Sequence, residues 1–169
     1  MKDAEIGQWI IKEDESRFED RLERLKWVVG KSPQGENAIF HSSIAQSMFN
    51  ECRYCFVYEQ FLASIILGMS FIEHTLSSIL FSMGRDDLKR AKMSIILKEA
   101  LKIDLITKAE YKNLVNASAI RNAVVHFREP KESLFFKAIA KDKEPYEFIE
   151  NDAKKVLEVV LVLYSKSVF

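Results

Sequence analysis

The chain has 169 residues, enough for one domain with a sizeable core, and its 25 lysines and arginines balance 25 aspartates and glutamates to a net charge of zero. That balance excludes a protein that coats nucleic acid through a global positive field, so any nucleic-acid site has to be a local basic patch. Only 5 glycines and 3 prolines interrupt a sequence rich in Leu, Ile, Ala, Glu and Lys, which predicts an all-α fold: an up-down helical bundle of about five helices in a single domain, residues 1–169.

The start, Met1-Lys2-Asp3-Ala4-Glu5, has no basic segment followed by an apolar run, so no secretory signal is read and a cytoplasmic setting is expected. The first clear helix is expected over residues 13–29, where Phe18, Leu22, Leu25 and Val29 recur at spacings of four, three and four and form one buried stripe among many charges. Gly30 and Pro33 end it, and residues 30–41 read as a connector.

Ser42 or Ser43 caps a helical region without Gly or Pro until Gly68, running to Met83 with a break near residues 50–53, and Gly84 stops it. The apolar run over 61–83 has the length of a membrane span, but Glu73, His74 and several Ser and Thr occupy its middle and end. A carboxylate at mid-bilayer is costly, so the run is read as the central helix of the bundle and no membrane is expected as a partner. Gly68 within it marks close packing or a kink. Cys52 and Cys55 form a lone C-x-x-C with only His41 nearby, short of the four ligands zinc needs, and read as thiols of an ordinary helix.

Asp86 and Asp87 open a helix through Leu88, Ala91, Ile95, Ile96 and Leu101, acids in a first turn suiting the helix dipole. Residues 102–106 break it, and Thr107 with Glu110 is a capping-box pattern that starts a helix over 108–127, which Pro130 ends. Residues 128–147 read as a connector containing the apolar patch Leu134-Phe135-Phe136; Asn151 or Asp152 begins the last helix, with Val156, Val159, Val160, Leu163 and Tyr164 at bundle spacing.

The helix over 108–127 holds the candidate site. Among Leu114, Val115, Ala117, Ile120, Val124 and Val125, a polar sector runs through Ser118, Arg121, Asn122 and His126. At about 100° per residue, Asn122 and His126 project from nearly the same side while Arg121 lies about 140° from His126. An otherwise apolar helix does not carry such groups without cost.

Arg121-Asn122-Ala123-Val124-Val125-His126, entered through Leu105-Ile106-Thr107, Glu110, Tyr111 and Leu114 and left through Phe127-Arg128-Glu129-Pro130, resembles the R-x4-H signature of the HEPN superfamily and its surroundings in small prokaryotic members. The resemblance implies a HEPN-like bundle and a metal-independent endoribonuclease without cofactor, of the kind that serves as toxin in a toxin-antitoxin pair or in phage defence. In that scheme the RNA 2′-hydroxyl attacks the adjacent phosphate, His126 moves a proton, and Arg121 holds the phosphate and its developing charge, leaving a cyclic phosphate. It also implies a homodimer meeting at the motif helices, RNA as substrate and an antitoxin protein as partner. Glu73 on the central helix would orient His126 or Arg121, with Asn122 in the same group, while Ser118 and Arg128 would add substrate contacts. In one branch of the family a Tyr two residues after the motif His accepts a nucleotide from a partner transferase; Arg128 stands there instead, which argues against that control. The alternative reading is a non-catalytic HEPN module that binds a nucleotide or partner or serves structural dimerisation, Arg121 and Glu73 forming only a salt bridge.

Overall fold

The computed structural model describes residues 3–32, 43–126 and 144–166, which are helical throughout with no strand among them. In chain order these residues form α1 (Asp3–Ser16), α2 (Phe18–Lys31), α3 (Ser43–Val57), α4 (Phe61–Ser82), a short 3-10 turn (Asp86–Leu88), α5 (Met93–Lys102), α6 (Lys108–Val125) and α7 (Pro145–Lys166). Seven α-helices thus stand where about five were expected. The extra ones arise at the amino end, where α1 precedes the first expected helix, and at a break between α3 and α4 that is sharper and later than residues 50–53.

That break is a Schellman cap. The Gln60 N–H donates to the Cys55 carbonyl at 2.7 Å and the Glu59 N–H to the Phe56 carbonyl at 3.3 Å, with Glu59 in the left-handed region at φ 65°. The same pair of bonds closes α4, Arg85 N–H to Leu80 and Gly84 N–H to Phe81, and closes α5, Leu105 N–H to Ala100 and Asp104 N–H to Leu101. Gly84 takes the left-handed position of the second at φ 81° and Asp104 that of the third at φ 56°. Glycine is the usual occupant of that position because it has no Cβ to clash, so Gly84 was legible and Glu59 was not.

α4 is the central helix. It is long and apolar enough to cross a membrane by length and composition, yet eleven of its residues are buried inside the protein, from Phe61 to Leu80. Its neighbours are α3, α7, α6 and α5, and Ile65, Met69, Phe71, Ile72, Leu76 and Leu80 interlock with Phe49 and Phe56 of α3 and Val156, Leu157 and Val160 of α7. Each such side chain taken fully from water contributes about 1.5–3 kcal/mol. Gly68 is a point of close approach: a Cβ there would stand 3.1 Å from Cys52 Sγ, Val156 Cγ1 and Val160 Cγ2. Cys52 and Cys55 are buried free thiols; Cys52 donates to the Ser64 carbonyl at 3.3 Å, and burial pushes its thiol up to about 12.

The remaining boundaries shift by identifiable causes. α2 runs through Gly30 to Lys31, and Ser32 closes it with its N–H on Val28 and Val29 carbonyls; residues 33–42 lie outside the described residues, as do the expected cap Ser42 and His41. Asp86 and Asp87 open only the 3-10 turn, and α5 begins separately at Met93. α7 begins at Pro145, before Asn151, because proline is preorganised for a first helical position and lacks only an N–H that would have no partner there. The connector patch Leu134-Phe135-Phe136 falls outside the described residues.

α2 is turned the other way from its expected orientation. Phe18, Leu25 and Val29 are exposed and Leu22 is half-buried, while Arg24 and Val28 are buried and Trp27 packs on Phe56 with ring centroids 5.3 Å apart. The periodicity of four, three and four marks a real stripe, but a partner for Arg24 decides which face goes inward. The Arg24 guanidinium donates to Glu59 at 2.8 Å, lies 3.6 Å from Glu150 and sits over the Phe61 ring at 5.4 Å. Arg17 and the Tyr146 hydroxyl donate to the other Glu59 oxygen, Tyr146 at 2.6 Å. Burial alone would raise the Glu59 carboxyl, but the Tyr146 hydroxyl and the Arg24 and Arg17 guanidiniums outweigh it and hold it below its ordinary value.

Candidate functional site

α6 starts as its sequence dictates. The Glu110 N–H donates to Thr107 Oγ1 at 3.2 Å and the Thr107 N–H to Glu110 Oε2 at 2.7 Å, a complete capping box. Lys166 at the end of α7 adds an ion pair to Glu110 at 2.8 Å. Burial raises the Glu110 carboxyl, but Lys166 and the Thr107 donors more than offset it, so its value is lowered. Leu114 and Ala117 anchor α6 in the core, with Ile120 and Val124 packed against it, which turns the polar sector toward α4 and solvent.

Three of the candidate residues are brought together. Arg121 Nη2 lies 3.7 Å from Glu73 Oε2 across the α4–α6 contact, with side chains 28% and 41% exposed, and Arg121 Nη1 donates to Asn122 Oδ1 at 3.2 Å. Glu73 therefore orients Arg121 and makes no contact with His126. Arg121 carries five N–H donors in a fixed fork, and two contacts leave the others open to an anion. Asn122 and Ser118 are half-buried on the same sector.

His126 is not drawn into this group. α6 ends at Val125, short of the expected 127, and His126 is its cap, with φ −103° and ψ 137° and its backbone N–H on the Asn122 carbonyl at 3.1 Å. Its side chain is exposed, and among the described residues it forms no hydrogen bond or ion pair. The extended backbone places the imidazole off the helical path, so the helical projection that paired it with Asn122 stops one residue too early. Arg128 lies outside the described residues. His74 is exposed on α4, turned away from Glu73 as one helical step requires.

The largest concavity is elsewhere. A groove of about 560 Å³ runs between α6 and α7, floored by Ile106, Leu114, Ala117, Ile120 and Val159 and rimmed by Lys31, Lys155 and Lys166. None of Ser118, Arg121, Asn122 or His126 lines it. Its rim is internally neutralised: Lys31 pairs with Glu158 at 3.2 Å, Lys155 with Asp152 at 2.6 Å and Lys166 with Glu110.

The Glu59, Arg24 and Tyr146 cluster is the polar assembly that sequence reading missed. Its members come from the α3–α4 junction, α2 and the first turn of α7, so no local pattern links them; the only local sign was an arginine, Arg24, amid an apolar helical pattern. Compared with family models, curated proteins and solved structures, the chain matches none.

Proposed function

We propose that this protein is a metal-independent endoribonuclease of HEPN type, acting as the toxin of a toxin-antitoxin pair or in phage defence, with RNA as substrate and an antitoxin protein as partner. The observation that carries the reading is Arg121, held from one side by Glu73 and Asn122 with donors left open, close in sequence to an exposed and unengaged His126. An Arg fork suits a phosphodiester, and an imidazole suits proton transfer near neutrality. In the reaction a 2′-oxygen bonds to phosphorus, the bond to the 5′-oxygen breaks, and His126 supplies or removes the proton that balances the exchange, leaving a cyclic phosphate and a 5′-hydroxyl. Arg121 stabilises the charge that builds on the phosphoryl oxygens. A second copy meeting at α6 would double these groups along one RNA strand.

Purified protein incubated with RNA in EDTA is expected to cleave it, and His126→Ala and Arg121→Ala are each expected to lose at least about 100-fold in rate. Because the Arg121–Glu73 pair is solvent-exposed, Arg121→Ala is expected to cost at most about 1 kcal/mol of stability. Wild-type protein that leaves RNA intact, or variants that cut as fast as wild type, would overturn the reading.

The second reading is a non-catalytic binding or structural module in which the Arg121–Glu73 pair ties α4 to α6. It is favoured by the engagement of Arg121 with a carboxylate within the fold. It is distinguished by RNA or nucleotide binding without cleavage, or by an Arg121→Ala melting shift larger than an exposed pair allows.

A further inference from the structure

The amino-terminal pair of helices is unlike the rest of the molecule. Every side chain over residues 5–20 is exposed, and no residue of α1 belongs to the core or packs against it. Yet α1 presents Ile6, Trp9, Ile10 and Ile11, the tryptophan 60% exposed, and α2 continues with Phe18, Leu25 and Val29 at 45–54%. Isolated helices shorter than about 12–15 residues are marginal in water even when alanine-rich, and α1 has 14 residues with few good helix formers. Tertiary packing of its apolar side chains is what would stabilise it, and the body of this chain does not supply that packing.

We infer that the α1–α2 arm is the surface on which a second copy of this chain docks, antiparallel about a two-fold axis. Area argues for a protein-sized contact. With large side chains of this kind burying about 150–250 Å² each, seven half-exposed ones offer on the order of 600 Å², approaching the roughly 800 Å² each partner contributes to a standard interface. Pattern argues for a helix as the covering element, because the four, three, four spacing of Phe18, Leu22, Leu25 and Val29 is the narrow seam of a coiled coil.

Charge argues for self-association and sets its direction. α1 has five acids against one lysine, whereas α2 has four bases against three acids. An antiparallel pair lays the acidic helix of each copy along the basic helix of the other; a parallel pair would set acid on acid. The same acidity rules against an anionic lipid surface as the occupant. The matching register puts Ile6 opposite Val29 of the other copy and Ile10 opposite Leu25, with Phe18 beside the axis. This contact is independent of the ribonuclease reading and separate from a meeting of α6 helices.

Sedimentation velocity of the full chain from about 1 to 100 µM tests it. The expected result is a dimer whose dissociation constant rises at least about 100-fold in Trp9→Glu/Leu25→Glu and is unchanged in Arg121→Ala. Ile6→Cys/Val29→Cys should form an intermolecular disulfide on mild oxidation, and this variant keeps the apolar face largely intact, so it decides the matter should the charged variant fail to fold. A monomer across the range, a dimer of wild-type affinity in Trp9→Glu/Leu25→Glu, absence of the cross-link, or dissociation only by Arg121→Ala would each overturn the inference.

Discussion

Replacing Glu59 by alanine and by glycine separates two things that this one residue does. Its carboxylate holds Arg24 and accepts from Tyr146 and Arg17, and Arg24 and Glu59 have side chains only 9% and 10% exposed. Removing one partner of a buried pair costs about 3–5 kcal/mol, because the other charge is left without compensation. Glu150 remains 3.6 Å from Arg24 Nε, so the lower end, about 3 kcal/mol, is expected for Glu59→Ala. For a chain of this size that is a fall of about 6–12 °C in melting temperature. The backbone works in the opposite direction. Glu59 stands at φ 65°, where a side chain with a Cβ costs about 1–2 kcal/mol and glycine nothing, offset by the extra freedom of glycine in the unfolded chain. Glu59→Gly should therefore melt higher than Glu59→Ala by about 0.5–1 kcal/mol, the reverse of the usual order inside a helix. Thermal melts followed by circular dichroism, with urea midpoints for both variants, measure this. Equal loss for both variants, or glycine below alanine, would refute the cap argument; a loss under about 1 kcal/mol for Glu59→Ala would refute the buried-pair argument.

Gly68→Ala is expected to destabilise although alanine is the better helix former by about 1 kcal/mol. Its Cβ would meet Cys52, Val156 and Val160 at 3.1 Å each, and overpacking of stiff β-branched neighbours costs about 1–3 kcal/mol; a melting temperature lower by about 2–4 °C is expected, and a rise would show that the α4–α7 contact yields. Stability should also fall in acid. Glu59 and Glu110 both have folded-state values below their ordinary ones, so the unfolded chain takes up protons first. Their stabilisation is complete above the ordinary carboxylate range and is lost as pH drops from about 5 through the lowered folded values. Urea midpoints measured against pH should show a flatter acid limb in Glu59→Gln and Glu110→Gln than in wild type.

The sequence alone determined whatever depends on neighbours along the chain. The scarcity of Gly and Pro and the apolar spacing specified an all-α chain; Thr107 and Glu110 specified the start of α6; Gly84 specified the end of α4; and the run over 61–83 specified a core helix, since Glu73 can sit at its solvent side. These are local matters of backbone donors, steric freedom and helical period. Tertiary structure decided what depends on partners distant in sequence. Which face of α2 turns inward follows from Glu59 and Glu150, 35 and 126 residues from Arg24, and the break before α4 tolerates a left-handed glutamate because that glutamate is bound by three donors. The motif residues Arg121, Asn122 and His126 were legible as a cluster on one helix, but their relations were not. Glu73 reaches Arg121 because α4 and α6 pack together, and His126 stands apart because the helix ends at Val125, a boundary that helical projection cannot see.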